Sequence, residues 1–136
     1  MGDADTVRRV PLEIFNEGDV GLINEIFTPD FVEHVTSPGF PEGRAGLRAF
    51  VLGMRQAFPD FRYEVLAQVD DGDLHVLYVQ ASGTMTGDFM AIPATGLSAT
   101  WLEMHMARMR GGWIVEHWAV LDQLGMLQQL GVLPAV

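Results

Sequence analysis

The hydrophobic period of this chain changes about halfway along. From Asp5 to Phe58 apolar residues recur at helical spacing, and from Phe61 onward they alternate as in strands. Val7, Val10, Ile14 and Phe15 make the apolar stripe of a first helix over residues 5–17, and Pro11 inside it predicts a kink or a late start. Gly18 ends that helix. Asp19 is placed to cap a second one, whose buried side is Leu22, Ile23, Ile26 and Phe27. Phe31 to Val35 reads as a short extended piece, and Ser37, Pro38, Gly39, Phe40 and Pro41 as a loop. A third helix over 44–58 turns Leu47, Phe50, Val51, Met54 and Phe58 inward and stops at Pro59. Strands follow over 61–69 and 74–86. The turn between them, Asp70-Asp71-Gly72-Asp73, lacks the spacing and closing glutamate of a calcium loop. A loop over 87–96 holds Phe89, Met90, Ile92 and Pro93, and a short helix over 122–131 carries Leu124, Leu127 and Leu130. Helices first and antiparallel strands after them predict an α+β fold, a curved antiparallel sheet wrapped by the N-terminal helices around one apolar pocket.

The last two strand-like runs carry the chemistry. Trp101 to Met109 and Trp113 to Leu121 read as a hairpin turning at Arg110, Gly111 and Gly112. With Met109 opposite Trp113, Ala107 faces Val115, His105 faces His117, Glu103 faces Ala119 and Trp101 faces Leu121. Side chains alternate along strands, so all of these share one face. A carboxylate and two imidazoles on an apolar face are costly to bury unless they are hydrogen-bonded or used. A lone strand histidine is more often structural; two opposed ones beside a glutamate point to acid/base work. Glu103, His105 and His117 are therefore the candidate catalytic groups. Trp101 and its apolar neighbours are expected to desolvate Glu103 and raise its pKa toward a working range. Glu33, His34, Phe50, Met54, Phe89, Ile92, Trp101 and Ala119 are candidates to line the substrate site, although Glu33-His34 reads equally well as a solvated strand end. Asp122 reads most simply as a helix cap. The opposite face of the hairpin holds Met104, Met106, Arg108, Ile114, Glu116 and Trp118, with Arg108 and Glu116 able to pair diagonally. Together with Val120 it is too apolar to leave in water, which predicts a homodimer or homotetramer through this sheet.

Composition narrows the function classes. A chain of 136 residues, 49% of them hydrophobic, supports one domain over 1–136 with a real core. It has no apolar run long enough to span a membrane. The acidic start, Met1 to Asp5, lacks the layout of a signal peptide, so a cytoplasmic location is expected. Without cysteine there is no disulfide framework, thiolate nucleophile or cysteine-bound zinc. All eight basic residues are arginine and the net charge is −10, which opposes nucleic acid and anionic membranes as partners but not a neutral small molecule.

Several pieces then resemble a known family. Phe15-Asn16-Glu17-Gly18-Asp19, Pro29-Asp30-Phe31, the glycine-containing start of the third helix, and Gly87 through Ile92-Pro93 are similar to the SnoaL-like polyketide cyclases. So are Gly112-Trp113-Ile114-Val115-Glu116-His117-Trp118 and Gln129-Leu130-Gly131. The resemblance implies the nuclear transport factor 2-like fold, a cone-shaped α+β barrel with a deep apolar pocket, usually oligomeric. It also implies a hydrophobic aromatic or polyketide-type substrate, and ring closure by an intramolecular aldol reaction without metal or organic cofactor. His105 and His117 match pocket histidines of the family. The family's catalytic aspartate position is Ala119 here, and a pocket asparagine position is Glu33. The aldol mechanism therefore does not carry over intact. Asp122 is a poor replacement, since it should point to the opposite face from Ala119. Glu103, across from Ala119, is expected to place its carboxyl group in the vacated space. Two ring closures fit: proton abstraction beside a carbonyl, and acid-assisted opening of an epoxide by an internal hydroxyl. An epoxide hydrolase-like enzyme, a non-catalytic protein that binds a small ligand and a ligand-free structural subunit are the alternatives. A pocket blocked by Trp101, Trp113 and Leu121 would favour the last.

Overall fold

Pro11 has no backbone N–H, so a regular helix cannot pass through it unchanged. In the computed structural model, which describes residues 2–35 and 39–134, α1 (Asp3–Arg9) gives way at Pro11 to a wider π-helical turn, Val10–Phe15. The Asn16 N–H closes that turn on the Pro11 carbonyl at 3.1 Å. The last carbonyls are satisfied from α3 (Gly43–Ala57), whose Arg55 Nη1 donates to Phe15 O and Asn16 O, each at 2.8 Å. Gly18 then reverses the chain at φ +73° against the same guanidinium; a Cβ there would lie 2.7 Å from Arg55 Nε.

The second helix is shorter than the sequence predicts. A 3₁₀ turn, Val20–Leu22, leads into α2 (Ile23–Ile26), and Asp19 makes no side-chain cap bond. Phe27 opens β1 (Phe27–Glu33) instead of continuing the helix. Of the loop expected over 37–41, Ser37 and Pro38 lie outside the described residues. Four strands follow α3: β2 (Arg62–Asp71), β3 (Leu74–Thr84), β4 (Ser98–Arg110) and β5 (Trp113–Leu121). Asp122 caps α4 (Gln123–Gln129) by accepting from Gly125 N at 2.9 Å, as expected. Leu124 is exposed on this helix, while Met126 and Leu130 are buried.

The strands form one five-stranded sheet in the order β1-β5-β4-β3-β2, antiparallel except for the β1–β5 pair. One face is apolar and covered by helices. Tyr63, Leu77, Val79, Ala81, Trp101, Ala107, Met109 and Ile114 are buried there with Ile14, Phe15, Val51, Met54 and Phe58. Gly83 admits the Phe58 ring, because a Cβ would come within 2.9 Å of it. Where β4 runs past the end of β5, Gln129 of α4 supplies the missing ladder partner, bonding both Thr100 N and Thr100 O at 2.9 Å.

Candidate active site

The β4–β5 hairpin turns more tightly than its sequence predicts. Arg110 pairs with Trp113 around a two-residue turn, with Gly111 at φ +59° and Gly112 at +85°, the positive-φ pair that matches strand twist. Met109 therefore faces Ile114, not Trp113. Ile114 belongs to the buried face and Trp113 to the exposed one. A ladder continued regularly from this turn would pair His105 with Trp118 and expel His117 from the inner face. Val115 prevents that. It is an extra residue on β5, opposite the Arg108–Met109 step, and beyond it the pairing resumes as Arg108–Glu116, Ala107–His117, His105–Ala119 and Glu103–Leu121. The expected direct His105–His117 and Glu103–Ala119 pairs are thus replaced by diagonal neighbours. The expected face survives for Glu103, His105, His117 and Ala119.

Small residues then let the imidazoles meet. Ala107 lies opposite His117 and Ala119 opposite His105, so neither ring is crowded by its cross-strand partner. The rings lean together with centroids 5.2 Å apart and planes 27° from parallel, and His105 Nδ1 lies 2.9 Å from His117 Nε2. His117 Nδ1 meets the Glu33 carboxylate at 2.7 and 2.8 Å, because β1 brings Glu33 alongside His117. His105 Nε2 donates to Glu103 Oε1 at 2.7 Å. The result is one line of groups, Glu33–His117–His105–Glu103. Among the described residues no cluster of three histidine, aspartate or glutamate side chains is disposed to hold a metal ion.

The protons in this line can be counted. Ionised carboxylates only accept, so His117 Nδ1 and His105 Nε2 must each carry hydrogen. The contact between the rings needs one more. With both carboxylates ionised, the pair therefore holds three protons on its four nitrogens, which is one imidazolium shared between two rings.

Glu103 is the buried end, only 7% exposed, whereas His105, His117 and Glu33 are 25%, 20% and 26% exposed. Solvent thus reaches the rings and Glu33, but hardly Glu103. Burial pushes the Glu103 carboxyl up. The hydrogen bond and charge of His105, with further bonds from Tyr63 and Trp101, outweigh it and hold Glu103 below the usual carboxylate range. This reverses the expectation that desolvation would raise it. Trp101 Nε1 donates to Glu103 Oε2 at 2.6 Å, and Tyr63 Oη donates to Oε1 at 2.8 Å. Tyr63 was not singled out from the sequence. Its signal is the inward pair Phe61 and Tyr63 at the start of β2, where a phenol among apolar neighbours needs a partner.

The other candidates fall in two groups. Phe50, Met54 and Phe89 join the apolar wall: Phe89 packs edge-on against Phe50 and Phe58, and Phe58 against Trp101. Ile92 packs beside them and is bonded to Phe89 across a tight turn. His34 does not belong to the site. It follows Glu33 and points to the opposite face, where it stacks on Trp118 at 4.8 Å and bonds Glu116 at 2.7 Å.

The model of the SnoaL-like polyketide cyclase family matches residues 5–130. The chain belongs to this family. Among solved structures, this SnoaL-like chain is similar to IdmH, a proposed polyketide cyclase of Streptomyces antibioticus, with 35% identity and a TM-score of 0.81 over 97% of this chain and 100% of that one. It is similar to TsrD of Streptomyces laurentii, with 26% identity and a TM-score of 0.85 over 98% and 100%. It also resembles AclR, a proposed hydroxylase of Streptomyces galilaeus, with 28% identity and a TM-score of 0.82 over 98% and 87%. Among curated proteins none matches it. The fold is thus the nuclear transport factor 2-like fold of the SnoaL-like enzymes, and Ala119 stands where the resemblance places their catalytic aspartate.

Proposed function

We propose that this SnoaL-like domain is a cofactor-independent acid/base cyclase or isomerase acting on a hydrophobic, aromatic or polyketide-type molecule. The observation that carries this reading is the Glu33–His117–His105–Glu103 line of short contacts, with both imidazoles reachable by solvent. Glu103 serves as the fixed anion and the imidazole pair as the acid/base. A pair that rests with its extra proton acts first as an acid. In an epoxide opening it gives that proton to the epoxide oxygen as the ring C–O bond breaks. The internal hydroxyl oxygen attacks the same carbon, and the hydroxyl proton returns to the pair. In an aldol closure the carbon beside one carbonyl loses its proton to the pair as it forms the new C–C bond to the accepting carbonyl carbon, whose C=O π electrons take the pair's extra proton on oxygen. The pair ends each cycle as it began. The half-buried rings of Phe50 and Phe89, backed by the buried Met54 and Phe58, offer the apolar surface for a flat hydrophobic substrate. Of the three residues that could block the site, Trp113 and Leu121 lie exposed, while Trp101 is buried against Phe58 and Phe61.

The test uses two synthetic probe sets, aromatic 1,5-dicarbonyl compounds and hydroxy-epoxides, incubated with the wild type and with His105→Ala and His117→Ala. Ring-closed isomers formed by the wild type and lost in both variants are expected. Equal turnover in all three proteins defeats the reading. The reading includes a homodimer or homotetramer built on the outer sheet face, where Val120 is 72% exposed beside exposed Leu102 and Met104. Ile114, buried within the domain, is not part of that surface. A sedimentation profile that stays monomeric at all concentrations contradicts this assembly.

A further inference from the structure

Glu103 is held by donors alone. Oε1 accepts from both Tyr63 Oη and His105 Nε2, and Oε2 accepts from Trp101 Nε1. Indole N–H can only donate, so a proton on Oε2 would face another hydrogen. A proton on Oε1 would have to displace or reverse one of two bonds already made there. The phenol is not free to turn away. Asn16, at the end of the π-helical turn, clamps the Tyr63 backbone from both sides: its Oδ1 accepts Tyr63 N at 2.7 Å and its Nδ2 donates to Tyr63 O at 2.9 Å. The ring packs edge-on between Phe15, with centroids 5.2 Å apart, and Phe61 at 4.8 Å. Ala81, paired with Tyr63 on one side and Trp101 on the other, leaves the gap across which both reach the same carboxylate.

We propose that Tyr63 is a positioning residue of the active site: it fixes Glu103 as an anion and so keeps the exchangeable proton on the His105–His117 pair. This rests on the acid/base reading above. The titratable groups in line with Glu103 are Tyr63 from β2, His105 on its own strand, His117 from β5 and Glu33 from β1. If Tyr63 lost its hydroxyl, Oε1 would keep only the His105 bond, and the proton would move toward Glu103. A tyrosine that only fills space would have no such effect.

The test reads protons directly in the free protein. Carboxyl ¹³C shifts of labelled glutamate and ring ¹⁵N shifts of labelled histidine are followed against pH for the wild type, Tyr63→Phe, and a protein carrying 3-fluorotyrosine at position 63. The wild type should show an ionised Glu103 and three protons on the imidazole pair at neutral pH. Tyr63→Phe should raise the Glu103 midpoint by about one pH unit, the usual effect of losing one good donor to a carboxylate. Fluorotyrosine, a stronger donor that keeps the side chain's shape, should lower it, and it serves if the phenylalanine variant folds poorly. A midpoint unmoved in either folded protein overturns the proposal. The acid limb of turnover on the ring-closure probe should shift with the midpoint. A moved midpoint with an unmoved turnover profile upholds the anchoring role and overturns the acid/base reading instead.

Discussion

Two ionic chains run across opposite faces of the same strands, and they are built from sequence neighbours. Glu33 and His117 belong to the inner line; His34 and Glu116, one residue away in each case, belong to the outer one. The outer line is His34–Glu116–Arg108–Asp73, with contacts of 2.7, 3.2 and 2.9 Å. The outer line alternates base and acid, whereas the inner one sets two imidazoles side by side between its two carboxylates. In the outer line the His34 hydrogen bond, followed by that of Arg108, holds Glu116 below the usual carboxylate range, and the Arg108 bond does the same for Asp73. These groups sit at the surface, where pairing is screened by water and salt. The larger difference lies in the middle of each chain. A guanidinium keeps its proton at any working pH, so the outer line can only fix charge. Two imidazoles in contact can pass a proton, so the inner line can move it.

The largest expected contrast is in turnover. His105→Ala and His117→Ala should each slow ring closure on the order of 10²–10⁴-fold, the usual contribution of a positioned acid or base, and the double variant should lose little more than either single one. His34→Ala, on the outer line, should leave turnover near the wild-type value in the same assay. Comparable losses from both faces would erase the distinction.

Stability sharpens it next. Glu103→Gln turns an amide N–H₂ toward donors that now meet a carboxylate. It should cost on the order of 1–3 kcal/mol in urea unfolding, the range for leaving buried polar groups unpaired, and should lower turnover as well. An unchanged urea midpoint would mean that the donors around Glu103 contribute no stability.

A third test uses pH. Glu103 binds its proton more weakly in the folded than in the unfolded chain, so it stabilises the fold above the ordinary glutamate value and loses that contribution as pH falls through its lower folded value. Below about pH 4.3 the wild type should therefore lose stability more steeply than Glu103→Gln in thermal melts. Parallel curves would argue that Glu103 titrates normally.

The smallest effect belongs to the outer line. Arg108→Ala should shift the unfolding midpoint slightly at low ionic strength and not at all in molar salt, whereas the effect of Glu103→Gln should persist in salt.

The inner face was legible in the sequence because facing depends only on whether a register is odd or even. A three-residue turn without a bulge, as the sequence predicts, and a two-residue turn followed by Val115 differ by two residues. Glu103, His105 and His117 therefore share the inner face in both, while every pairing between them changes. The helices were legible where periodicity is strong, as in α3, and less so around Pro11, where proline specifies an interruption but not its π-helical form. His34 was misplaced because strand alternation admits only one of two adjacent residues to a face, and the sequence alone favoured neither. The sign of the Glu103 shift was not legible. Burial can be read from apolar neighbours on the same strand, but one deciding donor, Tyr63, arrives from β2, two strands away, through packing that local pattern does not encode.

Val115 also governs how this hairpin can change length. Because the ladder skips it, its deletion joins Ile114 directly to Glu116 and leaves Arg108–Glu116, Ala107–His117 and His105–Ala119 paired as before, with less local bend. One residue inserted between Glu116 and Ala119 has no such escape and exchanges inner for outer side chains beyond it. The hairpin is thus tolerant of a loss at one point and intolerant of a gain a few residues later. An alignment of shorter SnoaL-like hairpins to this chain keeps chemically equivalent positions together only if its gap falls at Val115, and a gap set further along β5 equates inward residues with outward ones.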